Sequence, residues 1–186
     1  MRVIAGSARG RVLRGPAAEG TRPTSGRLRE ALFGMLDAAG ADLSSVLDLY
    51  AGTGALGIEA LSRGEGRCTF VEADAAACRV IAENLERTGL AARGAVTHRR
   101  VERWRAPADA AYTLVLADPP YEREATWAEI ERSVDGALAP HALVAVEHAA
   151  RAEAPAALLG RSKWRDRQHG DGAVAVYRTD AREDAG

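Results

Sequence analysis

Val46-Leu47-Asp48-Leu49-Tyr50-Ala51-Gly52-Thr53-Gly54-Ala55-Leu56-Gly57-Ile58-Glu59-Ala60-Leu61 decides the fold. It opens as a short apolar run, passes through three glycines spaced G-x-G-x-x-G, and leaves in a helical pattern with Leu56, Ala60 and Leu61 on one face. The pattern predicts a strand, a tight loop and a helix. Gly52 and Gly54 allow positive φ and close approach of a ligand to the backbone, and Gly57 lets the helix pack near the strand. Glu72 follows Gly52 by 20 positions, the spacing of a carboxylate that grips ribose hydroxyls, so an adenosine-bearing ligand is expected.

The flanking sequence repeats the alternation of strand and helix. Cys68–Glu72 reads as a strand and Ala75–Thr88 as a helix ended by Gly89. Val96–His98 is a weak third strand, and Tyr112–Ala117 a clear fourth that runs into Asp118-Pro119-Pro120-Tyr121. A helix from about Ala125 to Leu138, a strand at Ala142–Glu147 and a helix at Ala154–Leu159 follow. Ser162–Gln168 and Ala173–Arg178 read as two strands joined by the turn His169-Gly170-Asp171-Gly172. Ahead of this unit, Arg2–Ala5 and Arg11–Arg14 form a small hairpin, and a helix runs through Leu36 with Thr24 or Ser25 as its cap. These elements predict a mostly parallel sheet covered on both faces, closed by an antiparallel hairpin, with its ligands at the carboxyl ends of the strands.

The 186 residues are read as one domain, burying close to 70% of the surface of the unfolded chain. Two cysteines, Cys68 and Cys78, without zinc or disulfide spacing fit a reduced, cytoplasmic setting, and no apolar stretch is long enough for a membrane span. The net charge of −1 hides an asymmetry: residues 1–30 carry seven arginines against two glutamates, a local balance of +5. Such a segment neutralises phosphates. The competing reading is a solvated surface in a chain that uses arginine almost everywhere, Lys163 being the only lysine.

Asp118-Pro119-Pro120-Tyr121 separates the possible adenosine ligands. The two prolines remove two amide donors and stiffen the loop, holding the Asp118 side chain and the Pro119 carbonyl as acceptors at a strand end. Paired acceptors suit the two hydrogens of an exocyclic amine, and the Tyr121 ring offers a base a face to stack on. Asp48, just before the glycines, is placed to face an ammonium group. His98, His141, His148 and His169 lack ligand spacing, so no metal is expected, and Ser62 lacks the partners of a nucleophile. Trp104, Trp127 and Trp164 are assigned to packing, Trp127 lying near the Asp118 loop.

Asp48 to Gly54, Glu72 and Asp118 to Tyr121, in this order, resemble the S-adenosylmethionine-dependent amino-methyltransferases. More narrowly, Arg2–Gly6, Arg9-Gly10-Arg11, Thr21–Thr24, Arg27–Phe33 and Leu61–Gly64 resemble the bacterial small-subunit (16S) rRNA guanine-N2 methyltransferases of the RsmD type, across nearly the whole chain. The resemblance implies a Rossmann-like class I methyltransferase with a seven-stranded sheet. Residues 1–20 would be a basic hairpin extension, 21–179 the methyltransferase domain, and 180–186 a disordered acidic tail. Asp48, Gly52, Thr53, Gly54, Glu72 and Asp118 would hold S-adenosylmethionine. Asp118, Pro119 and Tyr121 would present the guanine, and Arg2, Arg9, Arg11, Arg22 and Arg27 would face the rRNA, free or within the small subunit or its assembly intermediate. Two departures stand out: Arg99-Arg100-Val101 occupies the place of the family's acidic residue near the cofactor adenine, with Glu102 one or two places late, and the C-terminal turn has His169 in place of tyrosine. Other readings left open are an adenine-N6 methyltransferase, a nicotinamide dehydrogenase and a non-catalytic RNA-binding assembly factor.

Overall fold

A computed structural model describes residues 1–15, 26–120 and 126–179. Arg22, the cap at Thr24 or Ser25, Tyr121 and the acidic tail lie outside the described residues. The elements follow in the order α1 (Gly26–Ala38), β1 (Ser45–Leu49), α2 (Ala55–Arg63), β2 (Arg67–Glu72), α3 (Ala75–Thr88), β3 (Gly94–His98), β4 (Tyr112–Ala117), α4 (Thr126–Val134), β5 (Leu138–Ala149), β6 (Ala157–Leu158), β7 (Arg161–His169) and β8 (Gly172–Arg178).

The strands form one sheet in the order β3-β2-β1-β4-β5-β8-β7-β6. The first five are parallel, and β8, β7 and β6 are antiparallel additions. The expected seven strands are thus eight. The extra one is β6, where a helix was expected at Ala154–Leu159. The alanine-rich composition there favours a helix, but Tyr177 Oη donates to the Pro155 carbonyl (3.1 Å) and the Lys163 amide to that of Ala156 (2.8 Å). Those bonds hold the segment extended, so that Ala157 pairs with Ser162 and Leu158 with Arg161, and tertiary pairing overrides local propensity.

Both faces of the central strands are buried, which explains the near-continuous apolar runs of β1 and β4. Val46, Leu114, Leu116, Leu143, Val174 and Val176 pack beneath α1, α2 and α3. Leu47, Leu49, Val115, Val144, Val146 and Tyr177 pack on the other side with Ile130 and Val134 of α4. Asp48, between Leu47 and Leu49, alternates onto the α2 side.

The N-terminal segment is a hairpin of minimal pairing, a single antiparallel bridge between Arg2 and Val12. It is fastened to the domain largely through α2. Val3, Ala8 and Leu13 enter the core. The amides of Ile4 and Ala5 donate to the buried Glu59 carboxylate at 2.8 and 3.0 Å, and the Ala8 amide donates to Ser62 Oγ at 2.9 Å. Glu59 also takes Arg63 (2.9 Å), so this buried charge is compensated on several sides. Gly6, at φ +82°, sits where a Cβ would come 1.8 Å from the Ser62 carbonyl oxygen. Ser62, dismissed above as a nucleophile, therefore has a fastening role.

Candidate active site

The chain leaves β1 toward β2 on one side and β4 on the other, so the strand order reverses at β1 and opens a crevice at its carboxyl end. Leu49 pairs with Val71 and with Ala117, which brings the glycine loop, Glu72 and Asp118 side by side. The loop turns sharply because Tyr50, Gly52 and Gly54 all take left-handed conformations, at φ 56°, 56° and 76°. For the two glycines this costs little, whereas Tyr50 is strained by about 1–3 kcal/mol. Its hydroxyl donates to Glu129 Oε2 on α4 at 2.9 Å, which helps hold that conformation.

The glycines differ in their surroundings. A Cβ on Gly52 would meet nothing closer than 4.0 Å, leaving the backbone accessible, while one on Gly57 would lie 2.3 Å from Phe70 Cε1 and 2.7 Å from Cys68 Sγ. Gly57 therefore sets the separation of α2 from the sheet.

Three carboxylates surround this loop. Glu72 accepts the Gly52 amide through Oε2 and the Asp74 amide through Oε1, both at 2.8 Å, so it braces the loop and retains lone pairs for a ligand's hydroxyls. Asp48 is 1% exposed; its Oδ2 accepts the Gly57 amide at 2.9 Å and its Oδ1 has no hydrogen-bond partner. Burial pushes its carboxyl well above the usual carboxylate range; the Gly57 amide opposes this, and the charges of Asp118 and Glu72 add to it. Such a group is complemented by a cation. Asp118, half-buried, continues the β4 line through its amide, which donates to Leu49 O at 3.3 Å, and Pro119 beside it is buried.

The raised Asp48 value makes a prediction. The folded state binds this proton more tightly than the unfolded chain, so the contribution to stability is full below the unfolded carboxylate value of about 4 and is lost as pH rises toward the raised value. Asp48→Asn retains an acceptor for Gly57 and removes the titration. Urea unfolding between pH 4 and pH 8 is expected to show a smaller loss of stability with rising pH than in the wild type.

Asn84 escaped the sequence reading. It is fully buried on α3, where Oδ1 accepts the Arg14 amide (2.7 Å) and Nδ2 donates to Arg14 O (3.2 Å) and Thr53 O (2.9 Å). One amide side chain thus ties the N-terminal segment to the glycine loop. Its signal was a polar residue on the stripe Val80, Ile81, Asn84, Leu85 that faces the core. Asn84→Ala is expected to cost about 1–3 kcal/mol of stability, because three backbone groups lose their partner. It should also weaken binding of the adenosine-bearing ligand expected at the loop several-fold, read by urea unfolding and calorimetric titration.

The remaining expectations divide. Glu147 was not singled out. It is 6% exposed and follows Val146, which pairs with Ala117, so it stands level with Asp118. Glu102 is half-buried, with Arg100 Nη1 3.7 Å away, and Val101 fills the core. His148 is buried between Ala149 O (3.0 Å) and Asp166 Oδ1 (3.2 Å), and Trp127 packs 6.1 Å from it and 6.3 Å from Tyr177. Among the described residues no group of histidine, cysteine and acidic side chains is placed to hold a metal ion, and no helix is long and apolar enough to cross a membrane. Arg2, Arg9, Arg11 and Arg27 are exposed.

Residues 1–178 match the family described as Conserved hypothetical protein 95. Ribosomal RNA small subunit methyltransferase D of Escherichia coli K12 is 35% identical over 182 residues, 97% of this chain and 91% of that one. The chain belongs to the RsmD family. A hypothetical protein of Thermus thermophilus superposes on this RsmD-family chain with a TM-score of 0.82 at 31% identity, covering 96% of this chain and 99% of the other. An RNA methyltransferase of Salinibacter ruber, solved with S-adenosyl-L-homocysteine, shares the fold at a TM-score of 0.64 and 16% identity, covering 86% of this chain and 95% of that one. The RsmD-family fold seen here is that of the class I methyltransferases.

Proposed function

We propose that this chain transfers a methyl group from S-adenosylmethionine to the exocyclic N2 amine of a guanine in small-subunit (16S) rRNA. The observation that carries the reading is the convergence of Asp48, Glu72 and Asp118 on one glycine loop at the point where the strand order reverses. Family membership supports the same substrate class.

The residues fit this cofactor. It carries two positive centres, a sulfonium and an ammonium, and the loop has an excess of negative charge with one buried carboxylate oxygen, Asp48 Oδ1, that has no hydrogen-bond partner. Gly52, Thr53 and Gly54 would hold its methionine portion near Asp48, and Glu72 its ribose hydroxyls. When bound, it supplies an electrophilic methyl group. Asp118 and the Pro119 carbonyl accept the two amine hydrogens and aim the nitrogen lone pair; as the carbon–nitrogen bond forms, the methyl–sulfur bond breaks with its electron pair left on sulfur, S-adenosylhomocysteine departs, and the amine gives up one proton to water. A ring-conjugated amine is a weak nucleophile, so positioning and exclusion of water supply the acceleration. The target base must leave its stack to reach Asp118, and Tyr121 would stack on it there.

Arg2, Arg9, Arg11, Arg22 and Arg27, with the basic extension of residues 1–20, would position rRNA through its phosphates. A substrate assembled as a small subunit or its precursor, in the cytoplasm, suits an enzyme that receives a structured RNA. Calorimetry with S-adenosylmethionine and with NAD, followed by transfer of labelled methyl to small subunits lacking the modification, tests the reading. Binding of S-adenosylmethionine alone, with label in the RNA, is expected; binding of NAD alone, or no transfer, would refute it.

A further inference from the structure

The hairpin of β7 and β8 carries a second row of cations. A register shift between Lys163 and Arg165 places Trp164 in a bulge. The guanidinium groups of Arg165 and Arg178 lie 4.2 and 4.7 Å from the centre of the Trp164 ring. Trp164 itself is half-buried against the core beneath α1. Two like charges gathered on one indole repel each other, and the aromatic face offsets only part of that cost. Arg165, Arg167 and Arg178 make no ion pair among the described residues. Asp166, between Arg165 and Arg167, is directed to the opposite side, where it meets His148 (3.2 Å) and Lys163 (3.8 Å).

The register fixes where this row stands. Arg167 pairs with Val174, Val174 with Glu147, and Glu147 is level with Asp118. Paired residues share a face, so Arg167 stands on the face of Asp118, three strands or about 14 Å away. Arg165 pairs with Val176 on that same face. Arg27 begins α1 at the same end: Arg29 reaches Glu59 in the middle of α2 and Asp37 reaches Arg63 at its end, so both helices start at the carboxyl edge.

We infer that Arg165 and Arg167, with Arg178 behind them on the Trp164 ring, form a second phosphate-binding wall for the RNA substrate, on the side of α1 away from the N-terminal segment. The inference rests on the RNA reading above. The Trp164 ring holds the Arg165 and Arg178 guanidinium groups in place while their donors stay available to phosphate oxygens. The substrate strand then crosses the catalytic edge between two basic walls, and its target nucleotide is held from both sides.

Filter binding of small-subunit rRNA to the full chain, over a range of salt concentrations, tests the wall without turnover. Arg165→Ala/Arg167→Ala is expected to weaken RNA binding roughly tenfold and to reduce the salt slope by roughly 1.5, two phosphate contacts being lost. Affinity for S-adenosylmethionine should stay unchanged, and Arg165→Lys/Arg167→Lys should recover most of the RNA affinity. Unchanged RNA affinity and slope in the alanine variant, with a wild type that binds and methylates RNA, would overturn the wall alone. A wild type that binds no RNA would overturn the wall and the RNA reading together. Weakened binding to the intact subunit with unchanged binding to naked rRNA would assign the patch to a ribosomal protein and overturn the proposal.

Discussion

Asp118→Ala is expected to lower kcat for RNA methylation by roughly 10²–10³-fold, the scale of removing one positioned hydrogen-bonding group from a preorganised site. In the mechanism proposed above the amine has two hydrogens to place, and Asp118 would supply one of the two acceptors. Its backbone continues the β4 line through the Leu49 carbonyl, and urea unfolding of the variant separates a loss at the reacting group from a loss of stability. Affinity for S-adenosylmethionine, measured by calorimetry, should change far less than kcat. Asp118→Asn retains an acceptor oxygen without the charge and should fall between the two. A kcat for Asp118→Ala within threefold of the wild type would remove this residue from the mechanism.

Gly57→Ala is expected to be the most damaging small change to the fold around the site. The added methyl would penetrate Phe70, whose ring is fully buried, and Cys68, 1% exposed, and neither has room to retreat. Overpacking of this kind costs about 1–3 kcal/mol, which lowers Tm by about 2–4 °C for each kcal/mol in a chain of this size. The displacement also moves the Gly57 amide away from Asp48, so S-adenosylmethionine affinity should fall with stability. Scanning calorimetry of the variant alone and with the cofactor reads both effects, and an unchanged Tm would show that α2 is not held at this glycine.

Much of the architecture was legible because its determinants are local. β4 was bounded correctly as Tyr112–Ala117, and α3 ends where Gly89 takes φ 75°. The glycine loop and its 20-residue separation from Glu72 were equally readable, and the structure closes that separation with a hydrogen bond to Gly52. The failures concern partners distant in sequence. No local signal shows that Lys163 and Tyr177 capture the carbonyls of residues 154–156, which turns an expected helix into β6. Asn84 binds residues 70 positions and 31 positions away, and only its place on an apolar stripe marked it. Trp164 was assigned to packing, and its two guanidinium neighbours come together through the bulge in β7.

The central claim is the identity of the atom that receives the methyl group. Small-subunit rRNA from cells lacking this protein, incubated with the purified chain and S-adenosylmethionine and digested to nucleosides, is resolved by mass spectrometry. A single added N2-methylguanosine, absent with Asp118→Ala, is the predicted result. N6-methyladenosine in its place, or no new methylated nucleoside, would contradict the account.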